Sequence, residues 1–168
     1  MNPSKNKLCV NFFGSPSSGK TVSAASMFVQ LKKLHIDSEL VAEFPKDLVL
    51  EKNEVALGNQ IYVFGSQLYR IQCAYNNTRI SLVDSPILLS TIYNPNTSKH
   101  LNNLIFEQHK KFNNLNLFVR LRDFPYSTVG RAHDREQSEE IEARILDMLK
   151  VNDIPYIEYD NAMENEII

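Results

Sequence analysis

Gly14-Ser15-Pro16-Ser17-Ser18-Gly19-Lys20-Thr21 leaves the chain around it little choice of architecture. The stretch reads G-x-x-x-x-G-K-T. The apolar run Leu8-Cys9-Val10-Asn11-Phe12-Phe13 precedes it, and apolar positions at helical spacing (Val22, Ala25, Met27, Phe28, Leu31) follow it. Strand, glycine-bounded loop and helix form the context in which this pattern has a mechanism. Backbone N–H groups of residues 15–20 can curl around phosphate oxygens, and the positive end of the following helix points at the same place. Lys20 then reaches the β- and γ-phosphates of ATP, and Thr21 offers its hydroxyl to Mg²⁺. Gly14 to Thr21 therefore read as a P-loop.

The rest of the chain fits around that loop. Its 168 residues suit one domain with one core. The near-continuous apolar run at 8–13 predicts a parallel strand buried on both faces. A helix is expected from the loop to about Leu34, then a second strand, Glu39-Leu40-Val41-Ala42-Glu43, stopped by Pro45 at the start of a short helix. Helical spacing of Val55, Leu57, Ile61, Phe64, Leu68, Ile71 and Cys73 predicts one helix from Glu54 to about Tyr75, broken by Asn76-Asn77. Strand three is Arg79-Ile80-Ser81-Leu82-Val83, with a short helix starting at Ser85-Pro86. A helix over Leu101 to Phe112, a strand over 115–121, a charged helix after 134 and a strand Pro155-Tyr156-Ile157-Glu158-Tyr159 complete the series. This alternation predicts an α/β P-loop NTPase or kinase fold, a three-layer sandwich around a five-stranded parallel sheet. Ligands then sit beyond the carboxyl ends of the strands.

Composition removes several classes. No apolar run is long enough to span a membrane, and the polar Met1-Asn2-Pro3-Ser4-Lys5-Asn6-Lys7 lacks a signal-type apolar region, so a cytoplasmic location is expected. The four histidines lack metal-ligand spacing, and Cys9 and Cys73 read as buried free thiols. A formal charge of −2 does not mark a dedicated nucleic-acid binder, although Lys46, Lys52, Arg70, Lys99, Lys110 and Lys111 are available for a local groove.

Candidate chemistry clusters at strand ends. Asp84 ends an apolar strand as a Walker-B acid does, where it supports the Mg²⁺ shell. The next residue is Ser85, whereas many hydrolytic motors place a water-activating Glu there, so transfer to a substrate hydroxyl is favoured. Glu43 ends strand two across from the loop, where a carboxylate can accept the proton of that hydroxyl. The polar segment at about 122–134 suits a lid that excludes water, with Gly130 as hinge and Arg131 and Arg135 reaching the phosphates. Gln67 and Arg70 share a helix face, as a base reader and an anion anchor respectively. Tyr62, Phe64 and Tyr69 serve as a stacking platform or as core.

Several of these stretches resemble bacteriophage P-loop kinases that include 5-hydroxymethyluracil DNA kinase. They are the loop from Phe12 to Thr21; Glu39-Leu40-Val41-Ala42-Glu43-Phe44-Pro45-Lys46-Asp47-Leu48; Asp84-Ser85-Pro86-Ile87-Leu88-Leu89; and Gly130-Arg131-Ala132-His133-Asp134-Arg135-Glu136. The layout is more distantly similar to deoxynucleoside and ribosylnicotinamide kinases. The resemblance implies an ATP- and Mg²⁺-dependent phosphotransferase acting on a nucleoside-type acceptor, and specifically on 5-hydroxymethyluracil in phage DNA. It also implies Glu43 near the acceptor hydroxyl and Arg131 and Arg135 over the phosphates. A free deoxynucleoside or nucleotide is the alternative acceptor, and a non-catalytic nucleotide-binding module is the alternative of another class.

Overall fold

The computed structural model describes residues 7–94, 98–121 and 135–160. In chain order the elements are β1 (Leu8–Phe13), α1 (Lys20–Lys33), β2 (Ser38–Val41), α2 (Phe44–Leu50), α3 (Glu54–Gly58) and α4 (Gln60–Asn77). Then follow β3 (Ile80–Val83), α5 (Leu89–Tyr93), α6 (Lys99–His109), β4 (Asn114–Val119), α7 (Arg135–Val151) and β5 (Ile157–Tyr159). The five strands form one sheet in the order β2-β3-β1-β4-β5, and every pairing is parallel.

Alternation along each strand divides the core between the two faces of the sheet. Val10 and Phe12 of β1, with Leu82, Leu117 and Val119, pack against Ala24, Met27 and Leu31 of α1. Cys9 and Phe13, with Val41, Val83 and Phe118, pack against residues of α4 to α7. Helices therefore cover both faces, and the sandwich has three layers. Asn11 is a polar residue on a strand that otherwise reads as apolar, and it is 2 % exposed. Its Nδ2 donates to Asn114 Oδ1 at 2.9 Å and Asn116 Oδ1 at 3.0 Å, which ties β1 to β4 in one register.

Local chemistry moved several boundaries. The helix expected over 54–75 is two helices, because Asn59 caps a new start. Its Oδ1 accepts the Tyr62 N–H at 3.2 Å, while Asn53 does the same for Ala56 at 3.1 Å. The apolar stripe drawn through Val55 and Ile61 fails accordingly, since the two are 89 % and 71 % exposed. The buried face of α4 is Val63, Phe64, Gln67, Ile71 and Ala74. Asn76 and Asn77 stay helical, and Thr78 ends the helix. Cys73 is exposed, contrary to the buried thiol expected; Cys9 is buried, and burial pushes its thiol up to about 12. β2 stops at Val41, so Glu43 directly precedes α2 and does not end a strand. The helix expected at Ser85-Pro86 starts at Leu89, after a turn in which Leu89 N–H donates to Pro86 O.

Candidate active site

The connection after β1 leaves toward β2, and the connection after β4 leaves toward β5. The carboxyl ends of these adjacent strands are thus a point of divergence where a ligand crevice forms. Residues 14–21 occupy it. Gly14 has φ +152°, and a Cβ there would lie 2.5 Å from both Ser18 Oγ and Val119 O. Only glycine lets the loop pass this close to the end of β4. Ser17 (φ 71°) and Gly19 (φ 96°) also take left-handed conformations. Together they curl the loop, and Ser18 N–H turns back to Ser15 O at 3.3 Å. The hydroxyls of Ser15 and Ser18 are buried without a hydrogen-bond partner among the described residues. Unsatisfied donors inside a curled loop suit a polyanionic ligand.

Lys20 opens α1 and donates from Nζ to Ser15 O at 2.8 Å. Thr21 donates from Oγ1 to Asp84 Oδ2 at 2.7 Å. Asp84 is 4 % exposed, and its other oxygen, Oδ1, has no partner among the described residues. One hydroxyl, one carboxylate and an orphaned oxygen fit a hard divalent ion such as Mg²⁺, which takes only one or two protein ligands and completes its shell with water and phosphate. The described residues hold no cluster of three or more His, Cys, Asp or Glu side chains able to bind a metal by themselves.

A cavity of ≈ 570 Å³ runs from this loop to α4, with Lys20, Thr21, Glu43, Gln67, Ser85 and Tyr93 among its lining residues. Burial raises the Glu43 carboxyl above the ordinary 4.5; Lys20 and Lys46 oppose the rise and Asp84 adds to it. No hydrogen bond among the described residues reaches that carboxylate, nor does it cap its own helix. Tyr93 faces the same space, and its phenol is pushed up to about 12 by burial and then by the charge of Glu43.

The structure thus brings Lys20, Thr21, Glu43 and Gln67 to one cavity, with Asp84 behind Thr21. Arg70 and Arg135 do not line it. Arg70 pairs with Asp47 at 2.6 Å and lies over the Phe44 ring at 4.9 Å. Arg135 begins α7, exposed, with Glu139 at 3.1 Å. Arg131, Gly130 and the expected lid at 122–134 lie outside the described residues. Of the proposed stacking aromatics, Phe64 is core, Tyr69 is 68 % exposed and Tyr62 packs edge-on against Phe44. Sequence reasoning missed Tyr93 as a lining residue and named Lys46 only for a local basic groove, whereas it lines this cavity. The only signal for Tyr93 was its place after the Asp-Ser-Pro turn, four residues from Leu89 and three from Ser90 on one short helix.

The all-parallel sheet, the loop after β1 and the acid after β3 define the fold of phosphate-loop kinases. The model of the AAA domain family matches residues 9–165, and the chain belongs to that family. No curated protein is similar enough in sequence to match. A deoxyadenosine kinase from M. mycoides, solved with dCMP and dCDP, is similar over 95 % of this chain and 95 % of its own, at 18 % identity and TM-score 0.57. An APS kinase from Mycobacterium tuberculosis covers 86 % of this chain and 99 % of its own, at 17 % identity and TM-score 0.42. No helix among the described residues is long and apolar enough to cross a membrane.

Proposed function

We propose that the chain is an ATP- and Mg²⁺-dependent kinase that moves the γ-phosphate of ATP to a hydroxyl of a nucleoside-type acceptor. The observation that carries this reading is one cavity lined by Lys20 and Thr21 at one end and by the half-buried Glu43, whose carboxylate no hydrogen bond among the described residues reaches. Its volume falls in the range of small-molecule sites, about 300–1,000 Å³.

In this reading the backbone of residues 14–21 holds the phosphates of ATP, and Lys20 neutralises charge on the moving group. Glu43 orients the acceptor hydroxyl and takes its proton as the oxygen attacks phosphorus. Thr21 and Asp84 hold Mg²⁺, which when bound offsets the charge of the β- and γ-phosphates. Arg131 and Arg135 supply further positive charge to the transferring group, Arg135 only by leaving Glu139, and Gln67 reads the acceptor. Arg70 reaches the acceptor only by leaving Asp47. The acceptor to try first is 5-hydroxymethyluracil in DNA, on the strength of the sequence resemblance. A free deoxynucleoside or nucleotide comes second, the ligand class seen in the deoxyadenosine kinase of similar fold.

Transfer from γ-labelled ATP to deoxynucleosides, deoxynucleotides and 5-hydroxymethyluracil-containing DNA tests the proposal. Label in at least one acceptor, with ADP release that this acceptor stimulates, is the expected result. ATP binding with no acceptor-dependent release would reduce the chain to a nucleotide-binding module. A DNA acceptor would further show affinity that falls steeply with salt, as released counterions require, while a free nucleoside would not.

A further inference from the structure

The amino ends of the strands hold a second cavity, of ≈ 600 Å³. It lies between the end of α6, the start of β4 and the turn after α7, with Phe106, His109, Asn114, Asn116, Asn152 and Ile154 among its lining residues. β4 runs from Asn114, here, to Val119, beside Gly14. At about 3.3 Å per residue, roughly 17 Å of strand separates this cavity from the phosphate loop. A small ligand in it is out of reach of ATP.

His109 is 6 % exposed, and no hydrogen bond among the described residues reaches its ring. A histidine this buried ordinarily has a partner. Its ring nitrogens are not among the polar atoms sealed in without one, so they open onto the cavity. Burial lowers the imidazole from 6.5 to about 4. At neutral pH the ring therefore carries one N–H donor and one bare acceptor nitrogen.

The asparagines beside it are oriented by their own bonds. Asn114 is committed, accepting from Asn11 and donating to the backbone oxygens of His109 and Phe112. Asn116 Oδ1 also accepts from Asn11, and its Nδ2 gives one hydrogen to Pro155 O at 3.0 Å, which leaves the second. Asn152 Nδ2 donates to Met148 O at 2.8 Å, and its Oδ1 has no partner among the described residues. Phe106 and Ile154, both packed against the core, form apolar walls. Charge cancels around the rim. Glu107 pairs with Lys111 at 3.2 Å, and the exposed Lys110 and Asp153 are of opposite sign. An anion finds no cationic cradle here.

We propose that this cavity is a second binding site, separate from the catalytic one, for a small uncharged heterocycle of the nucleobase or nucleoside class. The heterocycle lies against Phe106 and exchanges hydrogen bonds with the His109 ring, the spare N–H of Asn116 and Asn152 Oδ1. The proposal does not depend on the kinase reading, since no residue of the catalytic cavity takes part.

Titrating the isotope-labelled protein with adenosine, deoxycytidine and thymidine, and with AMP as a charged control, tests it. The ring resonances of His109 report the site locally. At least one nucleoside should shift them saturably, and AMP should bind there no tighter than adenosine. His109→Phe keeps a ring of similar size and should weaken that binding by about tenfold or more, read at Phe106 and Asn152. Asn103→Trp changes an exposed rim residue, so it tests the site without disturbing the buried ring. It should also weaken binding by about tenfold or more, with melting temperature and ATP affinity unchanged. No saturable response of His109 to any of the three nucleosides, tighter binding of AMP than of adenosine at His109, or equal affinity in wild type and Asn103→Trp overturns the proposal. Shifts confined to the cavity of Glu43 overturn it too, and leave the kinase reading in place.

Discussion

Lys20 and Glu43 carry opposite charges into one cavity, and the proposed chemistry needs both. Lys20→Ala removes the cation that neutralises the transferring group, from a side chain that bonds Ser15 O on a partly exposed loop. Steady-state kinetics should show kcat down by about 10²-fold or more, with the melting temperature little changed. Glu43 behaves differently, because burial raises its pKa above 4.5. The folded state then binds the proton more tightly than the unfolded state. That contribution is fully present below 4.5 and is lost as pH rises through the higher folded pKa. Ionised Glu43 thus costs stability at neutral pH. Glu43→Gln should melt at a higher temperature than wild type at pH 7, with the gap closing as pH falls through the raised folded pKa toward 4.5. A lower melting temperature for the variant at pH 7 would contradict a carboxylate whose ionised form the fold disfavours.

The phosphate loop passes so close to the end of β4 that a side chain at Gly14 has no room. Gly14→Ala places a methyl group 2.5 Å from the backbone oxygen of Val119, which cannot swing away as a side chain would. The variant should lose roughly 1–3 kcal/mol in urea unfolding and bind ATP far more weakly. This loop is readable from sequence because glycine spacing, Lys20 and Thr21 state their requirement locally. The sheet is readable for a similar reason: strands buried on both faces are short apolar runs, and their alternation with helical periods admits few topologies. What escapes the sequence depends on partners distant in the chain. Asn59 looks like any polar residue on a helix until its side chain is seen capping Tyr62. Gln67 looks like a surface residue beside Arg70, yet the hydrogen bond to Phe44, 23 residues away, is what makes its burial tolerable. Arg70 reads equally well as an anion anchor, and only the fold supplies Asp47 as its partner. Tyr93 carries no motif at all and reaches the cavity because α5 follows the Asp84 turn.

Across the whole molecule, ionisable groups with altered pKa values lie at both ends of the sheet. Glu43 is at the carboxyl ends of the strands. His109, 6 % exposed at the end of α6, is at the amino end of β4 and is lowered from 6.5 to about 4 by burial. A buried neutral imidazole contributes stability that is fully present above pH 6.5 and is lost as pH falls through about 4, on the order of 3 kcal/mol in all. Unfolding free energy should therefore drop over that window in wild type. The drop should be smaller in His109→Phe, and an identical slope in both proteins would assign the acid sensitivity elsewhere. The central claim concerns the other end, where one cavity joins an ATP site to a base. It is tested most directly by measuring ATP affinity and acceptor-dependent phosphate transfer in Glu43→Gln beside wild type. The account predicts unchanged or slightly tighter ATP binding, since a negative charge near the phosphates is removed, with transfer reduced by about 10²–10⁴-fold. Full transfer by Glu43→Gln on an acceptor that wild type phosphorylates would contradict it and leave only the ATP site standing.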